Sequence, residues 1–168
     1  MDADLKDSLK VAGIAAAVSG FILAMVSLIK PDYRQKVVKI AKSQVGPQNP
    51  DKYWAVVAPS LMGNPTGIAW CGGFALWALR QAGLTNAMWP IGSGISQILP
   101  STTNPQPGDV AYFNAPYQHH AIVDHIDGTT LYTIDGNQSP GEQVLPRTRQ
   151  VKDATAFYSI QPLINAKG

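Results

Sequence analysis

Ala69-Trp70-Cys71-Gly72-Gly73-Phe74-Ala75-Leu76-Trp77 carries the only cysteine of the chain, at the start of a predicted amphipathic helix that runs from Cys71 to Ala82 and stops at Gly83. A helix start leaves N–H groups unpaired and bears partial positive charge, which favours a thiolate by about 0.3–1 kcal/mol. The ordinary fate of a lone cysteine is that of a small, inert, buried hydrophobe. Two later stretches of the chain argue for more: His119-His120-Ala121-Ile122-Val123, and then Asp135-Gly136-Asn137. Cysteine, histidine and a polar orienting residue, in that order, are the parts of a thiol hydrolase. Within the helix, Cys71, Ala75, Ala78 and Ala82 recur at i, i+4, i+7 and i+11, a small-residue stripe suited to lying close against a sheet.

Working outward, Pro31 and Asp32 open an earlier helix to about Val45, with Val37, Val38, Ile40, Ala41 and Val45 on its apolar side and Gly46-Pro47 as its stop. Residues 48–67 are irregular and rich in Pro and Asn, which reads as a loop with short helical turns carrying Tyr53 and Trp54. Beyond Pro105-Gln106-Pro107-Gly108, β-branched and aromatic residues between turn formers predict strands near 109–113, 119–126, 130–136, 143–149 and 156–161. Helices first and antiparallel strands afterwards define an α+β fold, with the N-terminal helices packed on the sheet.

The 168 residues suit one domain plus an appendage. A formal charge of +2 without any block of five or six Lys/Arg excludes a nucleic-acid role. Residues 1–30 stand apart from the domain expected over 31–168. They contain a run of nineteen uncharged residues from Val11 to Ile29 between Lys10 and Lys30, close to the thickness of a hydrocarbon core. The run reads as a membrane-spanning helix, with a cleaved signal or a packing helix as the alternatives. Lys30, Arg34, Lys36 and Lys39 come after it, whereas Asp2, Asp4 and Asp7 offset Lys6 and Lys10 before it, so the positive-inside rule turns the domain to the cytoplasm.

Alternation in a strand sets His119, Ala121, Val123 and His125 on one face and His120, Ile122, Asp124 and Ile126 on the other. The hairpin loop decides which histidine meets the acid. A three-residue loop at 127–129 would place Asp135 opposite Ala121 and Asn137 opposite His119; a two-residue Asp127-Gly128 loop would place Asp135 opposite His120. A β-bulge would reconcile the two. His125, near the turn, is expected to have no catalytic task, and the spacing of the three histidines and nearby aspartates fits no compact zinc motif, so neither metal nor cofactor is expected.

Four blocks in this order, Trp70-Cys71-Gly72-Gly73-Phe74-Ala75-Leu76-Trp77, Pro107-Gly108-Asp109-Val110-Ala111-Tyr112-Phe113, His119-His120-Ala121-Ile122-Val123 and Gly136-Asn137-Gln138-Ser139, resemble the CHAP amidase/peptidase family and its NlpC-type relatives, papain-like cysteine hydrolases of peptidoglycan. The helix from Arg34 to Gly46 resembles that family's opening segment, and the first thirty residues lie outside the likeness. The resemblance implies a papain-like fold, Cys71 as nucleophile, His119 as general base and Asn137 as the group that orients the imidazole. Asp135 falls where many relatives carry an acid. His120 departs from the pattern, which prefers an apolar residue there. Trp70, Trp89 and Tyr117 are the candidate aromatic walls of a substrate groove.

The implied activity is hydrolysis of a peptidoglycan amide bond, either between N-acetylmuramic acid and L-alanine or within the peptide. The implied partners are peptidoglycan and, through residues 11–29, a membrane. This suits an endolysin-like phage lysis protein, a virion-associated enzyme or an envelope-remodelling hydrolase on the periplasmic side, although a wall enzyme needs the face opposite to that of the charge rule. The alternatives are an inactive membrane-anchored binding module of the same fold and a cysteine amidase or acyltransferase acting on another substrate.

Overall fold

The computed structural model describes residues 31–63, 68–89, 94–139 and 142–167. By internal contacts the chain divides into Met1–Pro31 and Asp32–Gly168, and the helices and sheet of the described residues belong to the second unit. The expected hydrophobic helix at 11–29 lies outside the described residues. Among those described, no helix is long and apolar enough to cross a membrane.

Three helices build one layer. Helix α1 (Tyr33–Lys42) starts where the Asp32 carboxylate accepts the Gln35 N–H at 3.0 Å, satisfying a donor that the first turn leaves open, and it buries Val37, Val38 and Ala41. A two-residue strand β1 (Gly46–Pro47) comes next. Helix α2 (Asp51–Val57) then occupies part of the stretch expected to be loop, because Tyr53, Trp54 and Val57 form an apolar face that tertiary packing covers. Helix α3 (Cys71–Gln81) begins at the expected residue. It ends where Leu84 N–H bonds Leu79 C=O at 3.1 Å and Gly83 N–H bonds Arg80 C=O at 2.9 Å. That closure requires the left-handed backbone of Gly83, whose φ is +81°.

The amphipathic reading of α3 needs correction: nine consecutive residues, Cys71–Leu79, are buried. The helix packs on the sheet and is flanked by its two companions, so it is apolar on all sides until Arg80. It lies close to the sheet at Gly136, where a Cβ would stand 2.8 Å from Phe74 Cβ and 2.8 Å from the Trp70 ring.

Strands β2 (Ser101–Thr102), β3 (Val110–Phe113), β4 (His119–Asp127), β5 (Thr130–Gln138), β6 (Gln143–Gln150) and β7 (Ala156–Tyr158) complete a seven-stranded antiparallel sheet in the order β1-β6-β5-β4-β3-β7-β2, with a short helix α4 (Gln161–Asn165) after it. This is the expected α+β architecture. Val110, Ile122, Ile134 and Val144 pack on the helices, and Ala111, Phe113, Ala121, Val123, Leu131 and Phe157 form a second cluster, as strand alternation requires.

Neither hairpin considered from the sequence is formed. The loop is Gly128-Thr129, pairing Asp127 with Thr130, and a bulge between Val123 and His125 then shifts the register so that Ala121 faces Asp135. The extra residue reverses the alternation beyond it, which sends Ile126 to the second cluster rather than to the face of Ile122. The net effect at the start of β4 equals that of the three-residue loop.

Candidate active site

The site assembles where the start of α3 meets the start of β4. Nothing caps the helix: Trp70, its N-cap residue, makes no side-chain cap bond, and the first backbone bond, from Phe74 N–H to Trp70 C=O at 2.8 Å, leaves the N–H groups of Cys71, Gly72 and Gly73 without helical acceptors. The two glycines are required by packing. A Cβ at Gly72 would lie 2.0 Å from the Trp89 indole, and one at Gly73 would lie 2.6 Å from that of Trp54, so two rings clamp the turn that carries the sulfur.

Cys71 is 4% exposed. Burial by itself pushes its thiol up, but hydrogen bonds from the side chains of His119 and His120, the charge of His119 and the His120 backbone together bring it down to about 6. His119 is the reciprocal case. Burial disfavours its charged form, yet the hydrogen bonds to Asp135 and Cys71, reinforced by their charges, raise it to about 9. Around pH 7 the pair is therefore a thiolate beside an imidazolium.

His119 Nε2 lies 2.8 Å from Asp135 Oδ2, which leaves Nδ1 as the ring nitrogen free to serve sulfur. The reach is diagonal: Asp135 faces Ala121 across the ladder, and His119 is two residues before Ala121 on the same face. Asp135 is fully buried, and burial alone would raise its carboxyl. The bonds and charges of His119 and Arg149 overcome this and hold it below the usual carboxylate range. Arg149 donates to Oδ2 at 2.5 Å and to Oδ1 at 3.3 Å, and Thr133 Oγ1 donates to Oδ1 at 2.5 Å while accepting from Arg149 at 2.7 Å. The guanidinium also stands 4.6 Å over the Phe113 ring.

Of the residues expected at the site, His119 and Asp135 are hydrogen-bonded to each other, and Cys71 and His119 shift each other's titration. Asp135 is the group that holds the imidazole. Asn137, expected in that role, has φ +58° at an irregularity in the β5–β6 pairing, which takes it out of strand alternation, and it lines the cavity beside His119. Trp89 stands edge-on to His120 at 5.8 Å between ring centroids, and the 81% exposed Tyr117 lies on the rim of that cavity. Trp70 requires a correction. At 1% exposure it belongs to the core, stacked on Tyr53 at 5.1 Å, and cannot wall a groove. His125 stacks on Tyr132 at 4.2 Å.

Arg149, Thr133 and Gln138 escape a reading of the sequence alone. The usable signal is period-two spacing: Thr133 and Asp135 share one face of β5, and Arg147 and Arg149 recur at the same interval on β6. Gln138 receives Arg147 Nε at 2.9 Å and places its amide nitrogen 3.4 Å from His119 Nε2.

Two openings flank the histidine pair. One, of about 580 Å³, is lined by Phe113, Pro116, Tyr117, His119, Asn137 and Arg147; the other, of about 310 Å³, by Trp89, Gly94, Tyr112, His120 and Tyr158, and Gln118 borders both. Among the described residues no group of three or more His, Cys, Asp or Glu is placed to hold a metal.

A thiol at a helix tip, an imidazole on an adjoining strand and a carboxylate behind it are the groups that thiol chemistry uses. The CHAP domain family model matches residues 63–137, so the resemblance carried by the sequence blocks is borne out over that range. The match points in general to the peptidoglycan amidase/peptidase class of hydrolases. No curated protein and no solved structure matches the chain.

Proposed function

We propose that this protein is a cysteine-dependent peptidoglycan hydrolase that cuts an amide bond of the wall. The observation that carries the reading is the bond from His119 Nε2 to Asp135 at 2.8 Å, on an imidazole that shifts the Cys71 thiol down as the thiol shifts it up. The proton expected to pass from Cys71 to His119 as catalysis begins already sits on His119 at neutral pH, given a thiol near 6 and an imidazole near 9.

The thiolate attacks the substrate carbonyl carbon, forming the S–C bond while the π pair moves to oxygen, where the N–H of Cys71, which has no helical acceptor, receives it. The pair returns, the C–N bond breaks, and the departing amine takes the proton from His119. Water then gives a proton to His119 as its oxygen attacks the thioester carbon, and the thiolate leaves. Proton transfer by a positioned imidazole is worth roughly 10²–10⁴-fold in such steps. Asp135, held by Arg149 and Thr133, keeps the ring oriented. Trp89 and Tyr117 contact the polymer from the two openings, and Asn137 shapes the larger one.

Incubating purified peptidoglycan with the protein and identifying released fragments by mass spectrometry tests the reading and names the bond. Release by the wild-type chain and its loss in Cys71→Ala is the expected result. Equal release by Cys71→Ala would sink the mechanism. An inactive binding module would release nothing, and its wild-type thiol would resist alkylation at neutral pH.

A further inference from the structure

We propose that Arg147 is a substrate-binding residue whose guanidinium holds a free carboxylate of the wall peptide in the larger opening, beside the bond being cut. The inference rests on the hydrolase reading above and adds to it the charge of the substrate and the side from which its peptide enters.

The charges around the larger opening are of one sign. His119, Arg147 and Arg149 line it, and among the described residues no aspartate or glutamate does. Two of these cations already have a partner, since His119 and Arg149 both bond the buried Asp135 carboxylate. Arg147 stands apart from them. Among the described residues no carboxylate forms an ion pair with it, and its hydrogen bond runs from Nε to Gln138 Oε1 at 2.9 Å. An uncompensated arginine on a cavity without acids draws anions in and disfavours cations.

Strand pairing puts the guanidinium there. Arg147 lies opposite Thr133, on the face of the sheet that also carries Asp135 on β5 and Arg149 on β6. Because Gln138 takes up Nε, the two Nη groups are left for the cavity that the side chain lines. Such a planar fork matches the two oxygens of a carboxylate, and a charge-assisted pair is stronger than a neutral one. Gln138 also fixes the distance to the chemistry, because its amide nitrogen stands 3.4 Å from His119 Nε2. One amide group and two contacts separate fork from imidazole, a span of about two residues at roughly 3.5 Å of extended chain each. The carboxylate therefore belongs to a residue close to the scissile bond.

The smaller opening offers no such partner. Among the described residues it is lined by no lysine, arginine, aspartate or glutamate, and its walls include Trp89, Tyr112 and Tyr158. The turn that carries the sulfur lies between the two sides: Ala69 lines the larger opening, while Trp89, packed on Gly72, lines the smaller. An acidic peptide is thus directed to the Arg147 side, and the neutral part of the polymer to the aromatic side.

The test uses one purified peptidoglycan in two forms, as isolated and after its carboxyls have been converted to amides with a carbodiimide and ammonia. Wild type and Arg147→Gln are compared for kcat and KM on each; the side chain is exposed, so the substitution leaves the core untouched. A contact made equally in the bound and transition states moves KM rather than kcat. The expected result is a roughly tenfold rise in KM for Arg147→Gln on the untreated polymer with kcat within about threefold. Wild type should show a similar rise on the amidated polymer, and the two changes together should cost no more than either alone. An unchanged KM in Arg147→Gln overturns the assignment. So does a wild type indifferent to amidation, a combined loss equal to the product of the single ones, or a kcat that falls more than tenfold while KM holds. A wild-type chain that cleaves neither polymer overturns the parent reading and this one with it, and that failure is visible in the wild-type arm alone.

Discussion

Asp109 and Asp135 are both fully buried and both lie against an arginine, yet the two regions use their carboxylates differently. Asp109 is held by the backbone: Gln106 N–H at 2.8 Å and Ile160 N–H at 3.0 Å, with Arg34 at 2.8 Å, which also reaches the Pro107 carbonyl at 2.9 Å. That arrangement joins α1, the turn before β3 and the C-terminal segment. It explains the Pro107-Gly108-Asp109 block as architecture, with Gly108 at φ +85° supplying the turn. Asp135 is held instead by side chains, Thr133, Arg149 and His119, the last of which loses its charge only near pH 9. A buried acid saturated by main-chain donors fastens a fold, whereas one bonded to a titratable ring acts through that ring.

The comparison yields graded expectations. Asp135→Asn should lower peptidoglycan turnover roughly 10²–10⁴-fold in initial-rate assays, because the imidazolium loses its counter-charge and its orientation. An enzyme within tenfold of wild type would place Asp135 with Asp109 as architecture. Asp109→Asn should do the reverse, costing about 3–5 kcal/mol in denaturant unfolding as Arg34 loses a buried partner, with the rate per folded molecule nearly unchanged.

The pH dependence of kcat/KM should form a bell. Activity needs thiolate, so it rises as pH climbs through about 6, and it needs the imidazolium proton for the leaving amine, so it falls as pH passes about 9. His119→Ala should move the alkylation midpoint of Cys71 upward, since the loss of a donor and a positive charge leaves burial to dominate. A midpoint unchanged by that substitution would detach the sulfur from the site. The smallest effect belongs to the remaining histidine: His125→Ala removes a surface stack on Tyr132 and should cost about 0.5–1.5 kcal/mol with no change in rate.

The order of elements is readable in the amino-acid string because strong local signals carry it. β-branched runs between turn formers locate β3 to β7, and Gly83 marks the end of α3. The features that escape such a reading depend on contacts across the fold. Strands β1 and β2 are two residues each, too short for any period. Helix α2 is stabilised by the core it covers rather than by its own propensity. At the site, Cys71, His119 and Asp135 are legible as residue types, but the bulge after Val123 that lets His119 reach Asp135 has no sequence marker here. Arg149 is hidden because its role exists only where β6 lies beside β5.

Gly136 has one further consequence. Phe74 and Trp70, at the start of α3, rest on a residue with no side chain, and a contact of hydrocarbon on bare main chain is indifferent to ionic strength and acidity. Any bulkier residue at this position would push the start of α3 away from β5 whatever the salt or pH.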